Sequence, residues 1–216
     1  MRLYLSSYRF GSAVERLTAL VPPGARVAMV SNALDLVPEE SRRSYARNVH
    51  DPLADLADMG FAPFDLDLRR WFGEAAGLER DLADVGLVWA VGGNAFLLRR
   101  AMAQSGLDAI LQRRLAEDSL AYGGWSAGAC VAGPSLRGID LMDAPDEVAD
   151  GYAPAPIYDG LGLVDFVIVP HFASEHPEAD AASVSAAWLA RQGLAHRTLR
   201  DGEAIVRVGD EVEVCA

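Results

Sequence analysis

Three short segments carry the residue types that acyl chemistry needs. The first runs Gly123-Gly124-Trp125-Ser126-Ala127-Gly128-Ala129-Cys130-Val131-Ala132-Gly133-Pro134. It follows an apolar strand candidate and precedes a small-residue helix, so Ser126 falls on a strand-to-helix turn of the G-x-S-x-G type. Such a turn lifts the hydroxyl above the sheet edge and points the next amide, that of Ala127, into the same space. The second segment, Val91-Gly92-Gly93-Asn94, ends another strand candidate and leaves glycine N–H groups at the carboxyl end of the sheet, where open α/β folds bind ligands. Gly93 N–H and Ala127 N–H together make a candidate oxyanion hole. The alternative for this turn is structural, with Asn94 capping the helix that begins at Ala95. The third segment, Val167-Ile168-Val169-Pro170-His171-Phe172, delivers His171 to a strand end as a candidate general base.

A third member must orient His171 and balance the imidazolium charge. Asp140, Asp143, Asp159, Asp165 and Glu175 are all open for that role. His176 is a candidate substrate contact. Its five-residue spacing from His171 suits no helical metal pair, and no metal or organic cofactor is expected. The Gly-Gly-Asn turn has neither a G-x-G-x-x-G pattern nor a following lysine, which argues against nucleotide binding. His50 and His196 are expected to be structural.

The elements that must position these residues alternate. Strand patterns fall at Arg2 to Ser6, Arg26 to Val30, Ala62 to Leu66, Val85 to Val91, Leu120 to Gly124 and Val164 to Val169. Helical patterns fall at 13–20 with Ser12 as cap, 39–59 with a kink or break at Pro52, 95–103, 107–117, 127–132 and 179–191. Thr198 to Arg200, Ala204 to Val208 and Val212 to Val214, separated by Asp201-Gly202 and Gly209-Asp210, suggest a closing antiparallel meander. The expected fold is α/β, with a mostly parallel sheet in one domain over 1–216. Arg137 to Leu163, rich in proline and acids, is expected to be a long loop, functional or disordered.

Of 216 residues, 51% are hydrophobic and 23% charged, which excludes a disordered chain. The net charge of −12 disfavours nucleic acid as a partner. No apolar run approaches the about 20 residues of a membrane span, and the start lacks a signal-peptide pattern, so a cytoplasmic location is expected. Cys130 and Cys215 offer neither a disulfide framework nor a metal spacing. Oligomeric state is left open, with the terminal meander a possible edge for a partner.

Together the three segments resemble the S51 peptidase family, which includes aspartyl dipeptidases and, more distantly, cyanophycinases. The resemblance covers nearly the whole chain in element order. It implies a three-layer sandwich akin to class I glutamine amidotransferases, with Ser126 as nucleophile and His171 as base. It also implies a small peptide substrate, most simply an N-terminal Asp-X dipeptide cleaved through an acyl-enzyme. Cys130 and Ala95 depart from the asparagine and threonine usual in the dipeptidases. In the loop that holds the family's aspartate, Arg137-Gly138-Ile139-Asp140-Leu141-Met142-Asp143, the resemblance favours Asp140. Asp143 is the alternative, and the glutamate of cyanophycinases keeps Glu175. Arg137 and Asn94 become candidate substrate contacts, Arg137 for a carboxylate. Two rival expectations remain: hydrolysis of another amide or isopeptide bond, and a non-catalytic binding protein in which no acid reaches His171.

Overall fold

A computed structural model of the chain describes residues 1–216. Nine strands form: β1 (Arg2–Ser6), β2 (Arg26–Val30), β3 (Ala62–Asp65), β4 (Val85–Ala90), β5 (Ala121–Trp125), β6 (Val167–Val169), β7 (His196–Thr198), β8 (Ala204–Val208) and β9 (Glu211–Cys215). Seven of them make one sheet in the order β3-β2-β4-β5-β1-β8-β9. The first five in that order are parallel, and β8 and β9 add an antiparallel edge beyond β1.

Alternation along each strand divides the core. Leu3, Leu5, Ala28, Val30, Val88, Ala90 and Tyr122 pack on one face, while Tyr4, Val27, Met29, Leu87, Trp89 and Ala121 pack on the other. The first face is covered by α5 (Ala95–Ser105), α6 (Leu107–Ala116) and α7 (Ala127–Cys130), while α8 (Ala179–Arg191) packs on β6, β7 and the turn at Ile139–Leu141. The second lies under Leu17 of α1 (Val14–Thr18) and Leu56 of α3 (Pro52–Asp58). A three-layer α/β sandwich results: the mostly parallel sheet is the one the residue pattern anticipates, and the layering is the one the family resemblance implies.

Local chemistry explains where the elements differ from expectation. The helical stretch 39–59 breaks into α2 (Glu39–Asn48) and α3, with Asp51 capping α3 through the N–H groups of Leu53 and Ala54 and Pro52 at its first position. Ser12 does not cap α1, whose N-cap position is Ala13 with no side-chain bond. A further helix, α4 (Ala75–Asp81), forms where only Leu78 signals a buried face, because Gly77 lets the chain close onto the Trp71 ring. The closing meander is realised only in β8 and β9. β7 leaves it and pairs in parallel with β6 as a separate two-stranded sheet.

The long loop is irregular apart from a short 3-10 turn over Ile139–Leu141, yet it is anchored. Arg100 of α5, wholly buried, donates to the carbonyls of Pro145, Glu147, Pro154 and Ala155. Its burial pushes the guanidinium pKa down, and no carboxylate bonds to it.

Candidate active site

The parallel strands β1, β4 and β5 are neighbours whose carboxyl ends lie together. Ser6 stands opposite Trp125 and Ala90 opposite Gly124. Ser126 therefore emerges between the ends of β1 and β4, and its backbone is strained at φ 50°, ψ −113°. Crowding enforces the turn. A Cβ on Gly124 would come within 2.5 Å of the Ala90 carbonyl oxygen, and one on Gly128 would collide with the same atom. Ser126 N–H donates to the carbonyls of Ser6 and Ser7, at 3.2 and 3.1 Å. The Tyr122 hydroxyl donates to the Gly128 carbonyl at 2.7 Å and pins α7 from below. Burial raises the Cys130 thiol well above its ordinary pKa, so it does not compete as a nucleophile.

The Gly92-Gly93 turn stands beside Ser126. Gly93 has φ 136°, and a side chain there would strike the Ala33 carbonyl. Neither Gly93 N–H nor Ala127 N–H has an acceptor within the protein, which leaves both free for a developing oxyanion. Asn94 serves instead as the α5 cap. Its Oδ1 accepts from the N–H groups of Phe96 and Leu97, and its Nδ2 donates to the Ala144 carbonyl. With both ends of its amide committed, Asn94 is corrected from a substrate contact to a helix cap.

His171 follows β6 at φ 61° and is only 1% exposed. Its Nδ1 donates to Asp201 Oδ1 at 2.8 Å, since a carboxylate can only accept. Asp201 occupies the turn between β7 and β8. The parallel pairing of β7 with β6, continued by Phe172 N–H to the Leu199 carbonyl, brings that turn to the histidine. The expectation of Asp140 at this position is overturned, because its carboxylate accepts from Gly138 N–H in its own turn. Asp143 accepts from Ala95 N–H at the start of α5 and is pushed up to about 7 by burial. Asp159 engages Arg99 through its backbone carbonyl, and Asp165 and Glu175 are exposed. None of these five carboxylates bonds to His171.

His171 Nε2 faces Glu178 Oε2 at 3.8 Å, and Ser126 Oγ makes no hydrogen bond in the free chain. The His176 ring stacks on His171 with centroids 3.7 Å apart and planes 10° from parallel. The His171 pKa is lowered, chiefly by burial and also by His176, against the raising effect of Asp201 and Glu178. Ligand atoms of His171, His176 and Glu178 lie within 4.8 Å of one another. The trio suits a metal poorly: parallel rings direct their in-plane lone pairs side by side, and His176 Nδ1 accepts from Glu178 N–H. Arg137 is exposed, its guanidinium 5.3 Å from the Tyr158 ring centroid with no carboxylate partner. His50 donates to Asp55, and His196 lies in β7 with Nδ1 beside the Leu194 carbonyl.

An elbow serine, two free amides and a histidine held by an acid, on a three-layer α/β frame, define the layout of a serine hydrolase. The model of Peptidase family S51 matches residues 9–215, and the chain belongs to that family of serine-type peptidases. Over 165 residues it is 32% identical to a peptidase E of Streptomyces coelicolor, covering 76% of this chain and 58% of that protein. It is 35% identical over 97 residues to a peptidase E of Citrobacter koseri, covering 45% of this chain and 38% of that one. The chain thus spans less than two thirds of the length of either relative. A Listeria monocytogenes crystal structure provisionally called peptidase E shares the fold at TM-score 0.79 and 23% identity, over 99% of this chain and 97% of that one. A peptidase from an acI-B1 actinobacterium follows at TM-score 0.61 and 15% identity, over 99% and 86%. No helix is long and apolar enough to cross a membrane.

Proposed function

We propose that the chain is a serine peptidase acting on short peptides, first among them N-terminal Asp-X dipeptides, through an acyl-enzyme on Ser126. The observation that carries this is the His171–Asp201 pair at 2.8 Å, linked to the strained Ser126 turn through Ser7, whose carbonyl accepts from Ser126 N–H and whose Oγ accepts from His171 N–H. Asp201 holds the Nδ1–H tautomer, which leaves the Nε2 lone pair to take the Ser126 proton as Oγ attacks the scissile carbonyl. That transfer requires Nε2 to turn its lone pair from Glu178 to the incoming serine, and catalytic hydrogen bonds often tighten only on substrate binding. Gly93 and Ala127 N–H receive the oxyanion. His171 then protonates the leaving amine and activates the water that frees Ser126. The exposed, carboxylate-free Arg137 supplies positive charge for a substrate carboxylate, with His176 lining the approach.

Asp201 counts against the binding-only reading, which required a histidine without an acid. The test incubates the protein with Asp-, Glu-, Asn- and Leu-X dipeptides and follows amine release beside Ser126→Ala. Release from Asp-X that vanishes in the variant supports the proposal. Serine-dependent release from other peptides alone moves the assignment to another amide, and the absence of any serine-dependent release overturns it.

A further inference from the structure

We infer that Ser7, the residue after β1, is the positioning residue that ties nucleophile, base and acid into one unit. The inference rests on the serine-hydrolase reading above. Ser7 is wholly buried, and every polar group it has is committed to a different part of the site. Its carbonyl accepts from Ser126 N–H at 3.1 Å, and its N–H donates to the Glu203 carbonyl at 3.0 Å, just beyond the Asp201 turn. Its Oγ accepts from His171 N–H at 2.7 Å and lies 2.9 Å from Asp201 Oδ1.

A hydroxyl has one proton to give. Asp201 Oδ1 at 2.9 Å is nearer than the Leu199 carbonyl at 3.3 Å and carries charge, so the proton goes to the carboxylate. The same Oδ1 therefore receives two donors, Ser7 O–H and His171 Nδ1–H. The first disperses negative charge that would otherwise fall on the imidazole. At the other lone pair, Ser7 holds the main chain of His171 at its positive φ, a strained conformation that persists only when its surroundings fix it. One hydroxyl thus sets both where the base stands and how strongly its acid pulls on it.

Loss of the hydroxyl has two consequences. The buried His171 N–H is left unpaired, so the backbone that carries the base is held less firmly and the chemical step slows. Asp201, with one donor fewer, favours the imidazolium more, so His171 takes a proton at higher pH. The groups facing His171 are Asp201 from the β7–β8 turn, Glu178 and His176 from the segment entering α8, and Tyr8 from the loop after β1. Of these four groups only Asp201 loses a hydrogen bond when Ser7 loses its hydroxyl. Ser7 does not touch the substrate, so KM should move little.

The experiment measures labelling of Ser126 by a fluorophosphonate probe across pH for the wild-type chain, Ser7→Ala, Ser7→Cys, Ser7→Thr and His171→Ala. In the labelling step Ser126 Oγ bonds to phosphorus, fluoride leaves, and the serine proton passes to His171. Ser7→Ala should label about ten- to a hundred-fold more slowly, with its acid limb moved to higher pH. Ser7→Thr, which keeps the hydroxyl, should restore the wild-type limb. Where Ser7→Ala fails to fold, Ser7→Cys fills the site with a weak donor and should shift the limb in the same direction. Wild-type rate and limb in a folded Ser7→Ala or Ser7→Cys overturn the role of Ser7 while leaving the hydrolase reading intact. Wild-type labelling that is absent, or unchanged by His171→Ala, overturns the hydrolase reading itself and the role of Ser7 with it.

Discussion

Replacing Asp201 by asparagine leaves the shape of the site almost unchanged and reverses one proton. The carboxylate now accepts His171 Nδ1–H at 2.8 Å and Ser7 O–H at 2.9 Å through the same oxygen. An amide nitrogen turned toward His171, with the Ser7 proton passed to the Leu199 carbonyl, would donate to Nδ1, forcing the proton onto Nε2, the atom that must be free to take the Ser126 proton. A triad locked in the wrong tautomer loses about ten-thousand-fold in kcat, which is about 5.5 kcal/mol of barrier at about 1.36 kcal/mol per decade. Asp201→Asn is therefore expected to fall by about 10³- to 10⁴-fold in kcat at neutral pH, with a near-native melting temperature. Asp140→Asn is the control. Its carboxylate bonds only Gly138 N–H, so its kcat should stay within about two-fold. The assay is amine release from the best dipeptide of the panel, with both variants checked by thermal melting. A folded Asp201→Asn within ten-fold of wild type, or an inactive but folded Asp140→Asn, would refute the reasoning.

The pH profile, the turn and the loop give further expectations. Burial lowers the His171 pKa below its ordinary 6.5, so the neutral, active base survives below that value and the acid limb of kcat/KM should lie under pH 6.5. The same shift makes the stability tied to His171 complete above pH 6.5 and lost as pH falls toward the lower folded value, which urea titrations at several pH values can follow. Gly128→Ala drives a Cβ into the Ala90 carbonyl, so about 1–3 kcal/mol of overpacking should appear as a melting point several degrees lower, together with lost Ser126 labelling. Arg100→Ala leaves four loop carbonyls without their donor and should cost about 2–4 kcal/mol in urea unfolding, with earlier proteolysis between 143 and 156.

What could be read from the sequence was whatever is local in the chain. Ser126 and the amides at Gly93 and Ala127 stand in turns whose glycines sit one or two residues from the atoms they make room for. His171 ends a buried apolar run that marks its own strand. The acid is different: Asp201 lies 30 positions beyond His171 in an Asp-Gly pair that reads as hairpin punctuation. It meets the histidine only because β7 pairs in parallel with β6, a choice no local pattern encodes. A carboxylate at a strand end was the available signal, but the charged loop near Asp140 offered a nearer candidate. Asn94 misled for a related reason, since asparagine at a helix start suits both a cap and a ligand, and its bonds to Phe96, Leu97 and Ala144 settle it as a cap. Ser7 had no sequence signal at all. Its importance comes from four long-range bonds that exist only in the folded chain.

The most direct test of the account is mass spectrometry of the chain quenched during turnover of an N-terminal aspartyl ester, whose acylation outpaces deacylation. The account predicts an aspartyl adduct on the peptide containing Ser126, absent in Ser126→Ala and accumulating far more slowly in Asp201→Asn. Turnover without a covalent adduct, or an adduct on any other residue, would contradict it.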